Sequence, residues 1–251
     1  MWPPKRTMKE NGLEITDWDQ PIYRIFPKKR FIDILQSNKN GLVRPIKWED
    51  PMENFLLKST VKTAEGELGS LENIAASWYG QCWTTNPESD AMWRIYSHDK
   101  NGIKVSTTIN KLFSSIYDEN DDFRNLKYFI GKVSYESRDA IEKFLSNVTF
   151  SGMALGGQGK KFAKTLCIKR PEFEHEKEIR LLFHDAENEF TSQDCVDFQF
   201  DHSQIIDEVV VEPRLTSTEY QAIKKELVGK GCLAPISQSQ LYQVTPTTIP
   251  L

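Results

Sequence analysis

The apolar positions change period many times along the chain, and each change predicts an element. Pro21–Phe26 alternates as a short strand. Lys28 to about Gln36 follows as a helix, with Phe31, Ile32, Ile34 and Leu35 on its apolar side and Gly41 as its stop. Leu42–Trp48 reads as a second short strand, broken at Pro45, and leads through Trp48-Glu-Asp-Pro-Met-Glu53 into a helix over Glu53–Leu57. Lys58–Ser70 is polar and contains Gly66 and Gly69, so it reads as a loop. Gly80–Thr85 closes the next, mixed stretch as a strand.

Asn86-Pro-Glu-Ser-Asp90 carries helix-start chemistry, because Ser and Asp side chains accept from the open N–H groups of a first turn. The helix would run through Tyr96, with Met92, Trp93 and Tyr96 on one face. Asp99–Gly102 is a turn, Ile103–Thr108 a strand entering a helix to about Ile116, and Asp118–Asp122 a solvated acidic loop. Lys127–Tyr135 alternates as a strand, Arg138–Leu145 reads as a helix, and Ser151–Lys161 is the stretch richest in glycine, with Gly152, Gly156, Gly157 and Gly159. Two strands, Cys195–Phe200 and the β-branched Ile206–Val211, come late. Thr216-Ser-Thr-Glu219 has a capping pattern for a helix over Tyr220–Gly229.

Several strands adjoin with no helix between them, which predicts an α+β fold with a mixed or antiparallel sheet rather than a doubly wound parallel one. Residues 21–234 are read as a single domain. Residues 1–20 are read as an arm ordered only in part, and 235–251 as a loosely held tail.

The stretch with the densest chemistry is Lys169–Phe183. Read with period two, one side carries Glu174, Glu176, Glu178 and Arg180, and the other Ile179, Leu181 and Phe183. Three carboxylates in a row repel one another. The stretch is therefore expected either as an edge strand with gatekeeper charges or as a site.

Composition narrows the classes. The 251 residues are 39% hydrophobic and 27% charged, ordinary for a globular chain. A net charge of -4 argues against a generally basic nucleic-acid binder. No apolar run approaches the roughly 20 residues of a membrane helix, and Met1-Trp-Pro-Pro-Lys-Arg lacks the apolar core of a signal peptide. Cys82, Cys167, Cys195 and Cys232 are scattered and form no Cys-x-x-Cys pair, so free thiols in a cytoplasmic location are expected. His98, His175, His184 and His202 have no metal-ligand spacing, so no metal site is expected from them.

Tyr23-Arg24, Asp50-Pro-Met-Glu53, Cys82-Trp-Thr84, Met92-Trp-x-x-Tyr96, Gly102-Ile103 and Glu176-x-Glu-x-Arg180 occur in that order. This succession resembles a widespread prokaryotic family of uncharacterised function. A second set resembles the ADP-ribosyltransferases: Tyr23-Arg24 on a first strand, Ile34-Leu35 followed by Gly41-Leu42, Val105-Ser-Thr-Thr108 (with Trp83-Thr-Thr85 as a competing match), and the late Glu176-Lys-Glu178 before apolar residues.

The second resemblance implies a split β-sheet with flanking helices and NAD as substrate. It also implies transfer of ADP-ribose to a protein or nucleic-acid acceptor, or hydrolysis, possible roles being those of a toxin or phage-defence effector with a regulatory partner or antitoxin. Glu178 would stabilise the oxocarbenium-like ribose as the nicotinamide bond breaks, with Glu176 orienting or activating the acceptor. Arg24, next to Tyr23, would bind a pyrophosphate oxygen or the adenosine ribose. Trp93 or Tyr96 would stack on nicotinamide, and Ser106 or Thr84, beside Trp83, would fix the ribose.

Structural readings stand beside these. Trp93 and Tyr96 suit a core face, Arg24 a surface ion pair, Ser106 and Thr108 ordinary strand positions, and Asp50 with Glu53 a helix cap. Two other functional classes remain. One is a non-catalytic ligand- or partner-binding module. The other is a Mg²⁺-dependent nuclease using Asp50, Glu174, Glu176 and Glu178; the chain lacks the Glu-x-Lys or Asp-x-Lys step that many nuclease sites carry.

Overall fold

The computed structural model describes residues 7–48, 50, 60–62, 68–70, 76–147 and 159–244. Its strands in chain order are β1 Gly12–Leu13, β2 Pro21–Pro27, β3 Lys39–Val43, β4 Thr60–Lys62, β5 Leu68–Ser70, β6 Trp78–Thr84 and β7 Gly102–Thr108. They continue with β8 Tyr128–Lys132, β9 Ser134–Tyr135, β10 Ile168–Lys169, β11 Glu178–His184, β12 Cys195–Gln199, β13 Glu208–Val211 and β14 Ile236–Gln238. Ten of them form one mixed sheet, ordered β1-β8-β11-β6-β2-β7-β13-β14, with β3 and β12 branching from β6. The two outer pairs, β1 with β8 and β13 with β14, are parallel, and the inner pairs are antiparallel. The expected mixed sheet with helices is therefore present.

The sheet divides along one edge of β6. At the end of that strand Thr84 bridges Tyr23 of β2, while near its start Gly80 bridges Val43 of β3. Between these bridges the backbone of β6 has no strand neighbour on that side, and side chains take over. Arg24 Nη1 donates to the Cys82 carbonyl. Gln81 Nε2 donates to the Gly41 carbonyl at 2.9 Å and to Asn40 Oδ1 at 3.0 Å. These contacts satisfy backbone groups that the division would otherwise strand.

One face of the sheet is closed by the helix Lys28–Ser37, whose Phe31, Ile34 and Leu35 recur at i, i+3 and i+4 and are buried against Ile22, Phe26 and Trp83. Each such side chain contributes about 1.5–3 kcal/mol. A smaller cluster on the other side joins Leu13, Trp78, Phe129, Phe162, Leu166 and Leu182. Caps behave as their residues suggest. Ser89 accepts from the Met92 N–H, and Thr216 and Glu219 form a capping box at the helix Ser217–Gly229.

Several expectations are corrected. The first helix ends at Asn38, in the left-handed conformation (φ 52°), which a short polar side chain tolerates. Gly41 instead sits in β3, where a Cβ would lie 2.6 Å from Cys195 Sγ. Lys58–Ser70 is not all loop, since β4 and β5 pair antiparallel. Lys127–Tyr135 is divided: Lys127 closes the short helix Arg124–Lys127, and Val133 separates β8 from β9. The arm and the tail each place a strand in the sheet, β1 and β14, with Asn11 and Leu13 buried. The expected helix at 53–57 and most of the glycine-rich stretch lie outside the described residues.

Candidate active site

The stretch Lys169–Phe183 is not one strand. Lys169 ends β10, Pro171–Glu176 forms a 3-10 helix opened by its proline, and Lys177 takes the left-handed conformation at φ 44°. Only Glu178–His184 is strand. Glu174 stays exposed on the 3-10 helix, so the row of three carboxylates does not exist. Glu178 and Arg180 do share a face, with Ile179, Leu181 and Phe183 opposite and packed in the main core.

Register places Glu178 at the division of the sheet. It pairs with Thr84 of β6, which pairs on its other side with Tyr23 of β2. Tyr23, Thr84 and Glu178 therefore form one row across three strands, with the outer two roughly 10 Å apart, or two strand spacings. The Glu178 N–H donates to the Tyr135 hydroxyl at 2.9 Å, and its carbonyl accepts from Val133 N–H at 3.0 Å. Thr84 Oγ1 donates to the Glu176 carbonyl at 2.5 Å, holding the turn against the strand.

Four ionisable side chains are packed out of water here. Lys169 Nζ donates to Glu176 Oε2 at 2.5 Å and to Glu178 Oε1 at 2.6 Å. Arg180 Nε donates to Glu178 Oε2 at 2.7 Å, and its Nη1 to the Leu166 carbonyl at 2.6 Å. Lys169, Glu176, Glu178 and Arg180 are 7%, 5%, 4% and 0% exposed. The Trp48 ring lies 4.4 Å from the Arg180 guanidinium, over Gly80, where a Cβ would meet the indole at 2.7 Å.

Two carboxylates in one low-dielectric pocket cannot both ionise freely. Burial, a shared hydrogen bond and the charge of Glu178 push Glu176 up to about 8. Burial also opposes ionisation of Glu178, but Arg180, the hydrogen bond from Glu176 and Lys169 outweigh it and hold that carboxyl well below its usual range. Burial raises the phenols of Tyr96 and Tyr135, the latter to about 12.

A cavity of about 480 Å³ opens at this point, bordered by Tyr23, Arg24, Thr84, Tyr96, Lys169, Glu176 and Glu178 among others. That volume lies within the range of small-molecule sites, roughly 300–1,000 Å³. Arg24 projects from the facing strand, and its buried Nε has no hydrogen-bond partner among the described residues. Burial lowers its affinity for its proton. Tyr96 is 43% exposed, with its hydroxyl 3.5 Å from Glu176 Oε1. Trp83 borders the cavity, but its ring is buried edge-on to Phe26 and its Nε1 donates to Gln81 Oε1 at 2.8 Å.

Two expected site residues lie elsewhere. Trp93 is fully buried and does not border the large cavity; its Nε1 donates to Glu88 Oε1. Ser106 lies on β7, paired with Tyr23 and Glu208, and does not itself border the cavity. Asp50 borders the cavity and pairs with Arg170 at 2.9 Å, while its expected role as a helix cap with Glu53 falls outside the described residues. Among the described residues no group of three or more His, Cys, Asp or Glu could hold a metal ion: Asp50, Glu176 and Glu178 border one cavity without forming such a group, and Glu174 is exposed. Lys169 was missed because it lies seven residues before Glu176 and reaches the pair only through the 3-10 helix. Pro171 was the available signal that the strand reading had to break.

The model of a family described as a protein of unknown function (DUF2971) matches residues 92–181, a span that includes Tyr96, Lys169, Glu176, Glu178 and Arg180. Among solved structures, the chain is similar to Thermus sp. 2.9 DarT in complex with ADP-ribosylated ssDNA: 12% identity, 91% of this chain and 98% of that chain, TM-score 0.41. The same protein in complex with NAD+ is 14% identical over 90% of this chain and 98% of that one, with a TM-score of 0.40. In complex with carba-NAD+ the values are 12%, 89%, 96% and 0.38. No curated protein matches the chain.

Proposed function

We propose that the chain is an NAD-consuming enzyme, an ADP-ribosyltransferase or NAD glycohydrolase, working from the cavity at the division of the sheet. The observation that carries this reading is the row Tyr23–Thr84–Glu178, with a buried, ionised carboxylate on one wall and the Arg24 guanidinium on the facing strand. A single small-molecule site thus offers a fixed negative charge at one point and a donor for an anion at another. Cleavage of the nicotinamide–ribose bond needs both.

The C1′–N bond breaks with its electron pair leaving on nicotinamide, which departs neutral, and positive charge develops on the ribose. Glu178 faces that charge, already ionised and oriented by Arg180, so little reorganisation is needed as the bond breaks. Tyr96, exposed at the wall, stacks on the leaving ring. Arg24, whose side chain borders the cavity, binds a phosphate or ribose oxygen of the dinucleotide. A nucleophile on a macromolecular acceptor, or water, then forms the new bond to C1′ and gives up its proton. Glu176 accepts that proton where its carboxyl is ionised, which its raised pKa restricts to mildly alkaline conditions. The acceptor class is protein or nucleic acid, and a toxin or phage-defence role with a regulatory partner would suit such an activity.

The test is nicotinamide release from NAD by purified protein, with and without nucleic acid or lysate, comparing wild type with Glu178→Ala. Release lost in a folded variant supports the reading, and labelled NAD then identifies the acceptor. No release by folded wild type under any condition overturns it in favour of a binding module, with Mg²⁺-dependent cleavage as the next assay.

A further inference from the structure

We propose that Lys169 is a positioning residue for the reaction above: its ammonium bridges Glu176 and Glu178 and fixes the face that each carboxylate turns to the cavity. The inference rests on the functional reading for its consequence in turnover, but its physical content stands apart from that reading. One ammonium touches an oxygen of each carboxylate, at 2.5 and 2.6 Å. The other Glu178 oxygen is taken by Arg180 Nε at 2.7 Å, and the other Glu176 oxygen faces Tyr96 Oη at 3.5 Å. Neither carboxylate can rotate without losing a charged or polar partner in a site from which water is largely removed.

The lysine is itself held. Its strand β10 runs parallel to β9, with Lys169 paired to Tyr135, the residue whose hydroxyl accepts from the Glu178 N–H. The stem passes over Phe173, placing Nζ 4.4 Å from that ring centroid. A lysine suits this position better than an arginine, because a compact three-donor ammonium can address two separate carboxylates, whereas a guanidinium fork matches one. The groups facing the pair are Arg180 on β11, Tyr135 on β9, Tyr96 on its helix, Arg24 on β2 and the thiol of Cys167, with Cys82 next to Arg24 and Tyr96. Lys169 and Arg180 are the charges that offset the two carboxylates.

The experiment follows carboxyl protonation by pH-difference infrared spectroscopy of the ligand-free protein, beside the pH profile of NAD cleavage. Lys169→Met is expected to raise the midpoint at which the pair takes up a proton by about 1–3 pH units and to move the acid limb of turnover by the same amount. Lys169→Arg, which keeps the charge, is expected to restore the midpoint while leaving kcat reduced. A Lys169→Met midpoint equal to that of wild type overturns the proposal. If Lys169→Met does not fold, Glu176→Gln is compared with Lys169→Met/Glu176→Gln, in which the like-charge repulsion has been removed. Identical Glu178 midpoints in those two variants again overturn it. Wild type that cleaves no NAD defeats the functional reading alone, because the infrared midpoints still decide the role of Lys169.

Discussion

Glu178 and Leu182 lie on the same face of β11, four residues apart, and are 4% and 0% exposed. Leu182 sits among Trp78, Phe129 and Phe162, with the Trp78 and Phe162 rings stacked at 5.0 Å. The side chains packed on Leu182 are apolar, and beyond the backbone ladder it is their burial that holds this end of the strand. At the other end, Glu178 has lost as much water, and Lys169, Arg180 and a hydrogen bond from Glu176 replace it. Replacing such a pair with apolar residues is often neutral for stability, whereas removing one partner is strongly destabilising. A strand that needed only to fold would be better served by a second apolar cluster. The charged end is therefore where a functional demand is to be sought.

Four perturbations sharpen that contrast. Glu178→Gln, close in shape but uncharged, should lower kcat for nicotinamide release by about 10²–10³-fold, while Leu182→Ala should leave turnover per folded molecule unchanged. Arg180→Leu removes one of the two charges that offset Glu178, leaving Lys169 alone, and takes the side-chain donor from the Leu166 carbonyl; urea denaturation should show a loss of about 3–5 kcal/mol. Leu182→Ala should cost about 2–5 kcal/mol in the same measurement. Equal losses of activity in Leu182→Ala and Glu178→Gln would erase the distinction between the two ends.

The smallest effect is in the shape of the stability–pH curve. Folded Glu176 keeps a proton that the unfolded chain releases near its ordinary pKa of 4.5, so stability should decline as pH rises from there toward about 8. Glu178 acts oppositely: its folded value is depressed, so its contribution is present above the unfolded value and lost as pH falls below it. Glu176→Gln should flatten the decline between about pH 4.5 and 8 in a thermal-melting series. Leu182→Ala should lower the whole curve and keep its shape.

What the sequence made legible was local. Ser89 and the Thr216–Glu219 box cap helices through neighbours three residues away, and Phe31, Ile34 and Leu35 declare their face by spacing alone. Arg24 and Glu178, each read from a compact pattern, both border the cavity. The two-residue strand Gly12–Leu13 and the three-residue Ile236–Gln238 are too short for alternation to register, and only pairing with β8 and β13 makes them strands. The end of the first helix was readable and misread: Asn38, not Gly41, carries the positive φ. Trp93 shares a helical face with Tyr96, yet one ring is fully buried and the other exposed at the cavity, since a shared face does not fix depth.

Lys177, with φ 44°, carries a consequence for how the text Glu-Lys-Glu is interpreted. In an unbroken strand, residues two apart project in parallel about 6.6 Å from each other. With the middle residue turned to the left-handed region, the two acids approach from a helix end and a strand start, and one ammonium serves both. The same three letters therefore spell two different objects, a ladder or a clasp, and the choice lies in the handedness of the least chemical of the three. At that position glycine and asparagine are conservative replacements for lysine, and valine or isoleucine, harmless in a strand, are not.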